Sequence, residues 1–128
     1  MSQLKIAIRE DRTRFYPGDE ILATASWKLE QPPKSVEARL FWFTRGKGTQ
    51  DTTTVETVRF ENPRNEETRP ARFCLPEAPY SFSGKLISLI WAIELVVEPG
   101  DESARIELTV SPTGEEILLH DRAAASSS

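Results

Sequence analysis

Cysteine, histidine and methionine occur once each in this chain of 128 residues, as Cys74, His120 and Met1. One cysteine excludes a disulfide framework, and one cysteine with one histidine excludes a zinc site built from several such ligands. A long apolar run is also missing: nothing approaches the roughly 20 residues of a membrane helix, so no integral membrane segment is expected. The opening Met-Ser-Gln-Leu-Lys-Ile carries no basic-then-apolar targeting signal. Together with the free thiol, this places the chain in the cytoplasm. Positive charge is in deficit, with a net charge of −4 and a pI near 5.1, so nucleic acid is not an expected partner. The balance is uneven along the chain. Residues 1–85 hold 14 basic and 12 acidic side chains, residues 86–128 only 2 and 8, so the negative charge gathers in the last third.

Apolar residues make up 38% of the chain and aromatics 9%, enough for one packed interior. Their spacing has period two. Leu4, Ile6 and Ile8 share one face of a first strand. Tyr16-Pro17-Gly18-Asp19 has proline where φ is preset and glycine where a positive φ is needed, as a type II turn requires. Glu20 to Glu30 then puts Ile21, Ala23, Ala25, Trp27 and Leu29 on a buried face. Pro32-Pro33 forces a turn, because two prolines remove consecutive N–H donors. Val36 to Arg45 is the third strand, Thr53 to Glu61 the fourth and Ala71 to Leu75 the fifth. The segment 76–84 is too rich in proline and glycine for regular structure. Leu86 to Glu98 carries Ile87, Leu89, Trp91, Ile93, Leu95 and Val97 on one face and reads as a central strand. Glu98 to Glu102 turns it into a partner strand bearing Ala104, Ile106, Leu108 and Val110. No window holds a helical period over helical length. The pattern predicts an all-β domain of about seven antiparallel strands over residues 1–111, with residues 112–128 a frayed C-terminal tail.

Reactive constellations are few. His120 falls in the tail, with no nucleophile or orienting carboxylate that spacing can indicate. Cys74 alternates with Phe73 and Leu75, where a lone cysteine acts as a small hydrophobe. Gly46-Lys47-Gly48-Thr49 lacks the first glycine and the following helix of a phosphate loop and reads as a hairpin loop. Pro76-Glu77-Ala78-Pro79 has the spacing of polyproline ligands but sits where prolines end a strand. The pairs Glu66-Glu67 and Glu115-Glu116 read as solvated surface, with nothing to separate their pKa values. No catalytic, metal or cofactor site is assigned.

The third strand has one unusual face. Val36, Ala38, Leu40 and Trp42 point one way. Arg39, Phe41, Phe43 and Arg45 point the other, and arginine with aromatics is the composition enriched in interface hot spots. That face either binds a partner or a second copy of the chain, or it is covered by the tail, a loop or a bulge that swaps the alternation.

Three segments carry a resemblance. Tyr16-Pro17-Gly18-Asp19-Glu20-Ile21 is similar to the Tyr-x-Pro-Gly-[Asp/Glu]-x-[Val/Ile] opening of the second strand in arrestin N-terminal-like domains, without a residue between Tyr16 and Pro17. Phe73-Cys74-Leu75-Pro76, then Pro79 to Gly84, then Ile90-Trp91-Ala92-Ile93-Glu94-Leu95-Val96-Val97 resembles the family's later strands in order and spacing. The resemblance implies an immunoglobulin-like, arrestin-like β-sandwich, one of the two in a full member of that family. It also implies a non-catalytic adaptor or scaffold that holds other proteins through loops and sheet edges, and a homodimer through edge strands is one arrangement open to it. The two-lobed surface used for receptors does not carry over. The alternative is a β-sandwich that binds carbohydrate or another small ligand by stacking it on Trp27, Trp42 or Trp91, against which their inward phase argues.

Overall fold

Alternation in the sequence becomes ten strands in the computed structural model, which describes residues 3–46, 50–84, 87–99, 103–113 and 117–118. They are β1 (Gln3–Ile8), β2 (Arg14–Phe15), β3 (Glu20–Lys28), β4 (Ser35–Gly46), β5 (Thr52–Phe60), β6 (Glu66–Cys74), β7 (Phe82–Ser83), β8 (Ile87–Glu98), β9 (Ser103–Val110) and β10 (Ile117–Leu118). Seven of these have six residues or more, matching the number expected; β2, β7 and β10 have two each. The turn before β3 is of type II, with Gly18 at φ +83° and the Asp19 N–H donating to the Tyr16 carbonyl at 3.0 Å. Among the described residues no helix is long and apolar enough to cross a membrane.

Two sheets result. The smaller is β1-β3-β6, antiparallel throughout. In the larger, β4 lies between β5 and β8, while β7 and β9 share the far side of β8. β2 adds in parallel to the end of β9, and β10 in parallel to β7. Between the sheets lies one core. The small sheet supplies Ile6, Ile21, Ala25, Trp27 and Phe73, and the large sheet answers with Val36, Leu40, Trp91, Ile93 and Leu95. Burying each such side chain contributes about 1.5–3 kcal/mol, so the sandwich needs no disulfide.

Three details depart from the expectation. β6 starts at Glu66 rather than at Ala71, although Asn62 to Glu67 reads as a turn. It is an edge strand bonded to β3 alone, and a proline is tolerated where the ladder is one-sided. Phe15 lies between the first strand and the Tyr16 turn, where the pattern predicts no strand, yet it is fully buried because β2 docks on β9, with the Ser111 N–H donating to the Phe15 carbonyl. Cys74 is exposed rather than packed: Ala71, Phe73 and Leu75 take the inward phase, so Cys74 takes the outward one. Of the expected tail, Ile117 and Leu118 pair with Phe82 and Ser83; His120, like Lys47 to Thr49 of the 46–51 loop, lies outside the described residues.

Candidate functional site

β4 pairs with β8 without a break from Ser35 to Gly46, so its side chains keep alternating between the two faces of the sheet. Its pairing with β5 shifts between Leu40 and Phe41, so Val55 is an extra residue on β5 and the bulge falls on the edge strand, not on β4. Phe41 and Phe43 therefore face away from the main core, opposite Ala92 and Ile90 of β8. They are nonetheless only 5% and 2% exposed. With Ala92 and Ile90 they form a second apolar cluster on the outside of the large sheet, the two rings stacked at 5.8 Å.

Arginines roof this cluster. The Arg45 guanidinium lies 5.3 Å from the Phe43 centroid, and that of Arg105 lies 5.1 Å and 5.3 Å from Phe41 and Phe43. A cation over an aromatic face is attracted by the ring quadrupole, by about 0.5–1 kcal/mol at exposed sites. Their methylene stems shield the rings while their head groups stay wet. Glutamates from neighbouring strands hold the heads: Arg45 meets Glu107 at 3.4 Å, and Arg105 meets Glu94 at 3.5 Å. Further along the same face Arg39 donates to Glu37 at 2.8 Å, with Arg59 3.9 Å from the other oxygen of Glu37. Of the four residues singled out in the sequence, Arg39 is half-buried against Glu37, Phe41 and Phe43 are floor, and Arg45 is exposed roof. The structure brings Phe41, Phe43 and Arg45 together, and Arg39 is drawn to Glu37 instead. Arg105, Glu94 and Glu107 were missed. Placing β9 beside β8 in register would have found them, since Arg105 pairs with Glu94 and Glu107 with Ala92.

The tryptophans stand elsewhere. Trp27 and Trp91 are buried in the main core and their indole N–H groups donate to the backbone carbonyls of Arg64 at 2.7 Å and Pro79 at 2.9 Å. Trp42 is half-buried against the same core. Glu67 is not merely solvated surface. It accepts from the Arg69 guanidinium and, at 2.6 Å, from the Arg64 N–H, and these bonds hold its carboxyl below the usual range, the Arg69 bond most of all. The same Arg69 donates to the Glu61 carbonyl at 2.7 Å, so it clamps the β5–β6 turn whose Arg64 carbonyl receives Trp27. Among the described residues no group of three or more His, Cys, Asp or Glu could hold a metal ion.

No protein-family model matches the chain, and no curated protein matches it by sequence. Solved structures do. Spo0M, a sporulation control protein from Bacillus subtilis, superposes with a TM-score of 0.61 over 86% of this chain at 19% identity. The fold is that of an arrestin-like β-sandwich. The chain spans about half of Spo0M, 49% of its length. A β-glucosidase from Listeria innocua aligns at 10% identity over 92% of this chain and 16% of its own, with a TM-score of 0.45, too low to bear on fold or function.

Proposed function

We propose that this chain is a non-catalytic protein–protein interaction module of the adaptor or scaffold kind, related in fold family to the arrestin-like proteins and working in the cytoplasm. The observation that carries this reading is the outer face of the large sheet. There Arg45 and Arg105, paired with Glu107 and Glu94, stand over a packed aromatic floor, and Arg39 and Arg59 flank it on Glu37. Arginine supported by aromatic rings is the residue type that interface hot spots favour, because its fork is preorganised and loses little freedom on binding. The fold shared with a sporulation control protein supports a regulatory role over a catalytic one. Glu67, whose carboxyl is held low by the bonds from Arg69 and the Arg64 N–H, is committed to a turn and acts as a fixed anion rather than a proton carrier. A second copy of the chain is one partner this face suits.

The test is partner capture and solution mass with the wild-type chain and with the pair Arg59→Glu and Arg105→Glu, both exposed. The reading expects the variant to stay folded, with a melting temperature lowered by loss of the Arg105 roof and of its pair with Glu94, and to lose its partner or its dimer mass. Identical capture and mass from both proteins, with the fold intact, would contradict it.

A further inference from the structure

β8 has two partners along one side, β7 at Ser88 and Leu89, then β9 from Trp91 to Val96. Ile90 sits at the changeover, paired with Phe43 on β4 but with neither β7 nor β9. β9 runs on past it to meet β2 at Thr109 and Val110, so the strands diverge. The opening is a cleft of about 440 Å³ bordered by Arg45, Ser83, Ser88, Ile90, Glu107 and Thr109.

We propose that this cleft binds the vicinal diol of a small neutral polyol, a cyclitol or a monosaccharide. The Arg45 Nη2 donor and the Glu107 Oε2 acceptor stand 3.4 Å apart at its rim, a spacing of the order of two adjacent hydroxyl oxygens. One ligand hydroxyl accepts from Arg45 and its neighbour donates to Glu107. Ser83, Ser88 and Thr109 each offer a hydroxyl that can both donate and accept, which suits the remaining hydroxyls of such a ligand. Ile90 gives an apolar strip against ring C–H groups. Charge decides for a neutral ligand: an anion would meet Glu107 and a cation would meet Arg45. Arg45 is held on the Phe43 ring at 5.3 Å, so the fork is placed before the ligand arrives. Its bond to Glu107 is long and both side chains are well exposed, 60% and 49%, so exchanging that bond for bonds to the ligand costs little.

Amide chemical shifts of the isotopically labelled full chain, titrated with myo-inositol and separately with cyclohexanol, test this. Inositol is expected to move the amides of Arg45, Ser88 and Thr109 saturably with a Kd on the order of 1–10 mM, as a small polar ligand allows, while cyclohexanol leaves them in place. Arg45→Gln and Glu107→Gln, both at exposed positions, are each expected to weaken inositol at least tenfold while the chain stays folded, with the melting temperature within a few degrees of wild type. Equal shifts from cyclohexanol, no shift at about 100 mM inositol, or undiminished binding in both variants would overturn the proposal. None of these outcomes bears on whether the face binds protein, which the Arg59 and Arg105 pair tests at other residues.

Discussion

Phe43 lies in the solvent phase of its strand and ends almost free of solvent, because Arg45 of its own strand and Arg105 of β9 roof it. Phe43→Ala is expected to cost about 3 kcal/mol, the usual penalty for emptying a buried aromatic site, read as a lower urea midpoint with an unchanged slope. Arg105→Ala removes stem packing as well as charge and should lower the same midpoint by less. Glu67 gives a pH-dependent counterpart. Its carboxyl is held low in the folded chain, so it stays ionised to lower pH there than in the unfolded chain. Its contribution is therefore complete above the unfolded value of about 4.3 and is lost as pH falls through the lower folded value. Wild type is expected to be more stable than Glu67→Gln at pH 7, and the two urea midpoints should converge as pH falls below about 4. A constant gap from pH 7 to pH 3 would sink this account of the turn.

At the level of elements, the long strands were legible because period-two alternation survives in them, most clearly in β8, where Leu89, Trp91, Ile93, Leu95 and Val97 all reach the core. The Pro17-Gly18 turn was legible for a different reason, since only glycine holds φ near +83° without strain. The two-residue strands were not. Arg14–Phe15 and Phe82–Ser83 are fixed by what docks beside them, and two residues carry no period. The outer face was half legible: β4 announced Arg39, Phe41, Phe43 and Arg45, but their fate depends on Arg105, Glu94 and Glu107, which only cross-strand register supplies. The bulge at Val55 was invisible in a run of β-branched residues. It breaks the edge strand of the large sheet, a position where a flat ladder invites a second chain. Deleting Val55 is expected to straighten β5 and raise the aggregated fraction seen by light scattering at matched concentration, with the aromatic floor on β4 and its arginine roof unaffected.

For the whole molecule, the sandwich packs its tryptophans against the core and turns arginines and glutamates outward on the long sheet, so what it offers other molecules is a salt-bridged surface. The small sheet offers a different outer face of Lys5, Thr24, Ser26 and Thr68 with the Arg72–Glu20 pair at 3.4 Å, and no aromatic floor among the described residues. These two faces give the contrast that the interaction reading needs. The most direct measurement places a photoreactive residue at position 59 on the large sheet, or at position 24 on the small one, and compares the crosslinked species formed in cells. The account predicts a discrete crosslinked protein or chain dimer from position 59 and none from position 24. The same yield from both positions, or a crosslink from position 24 alone, would contradict it.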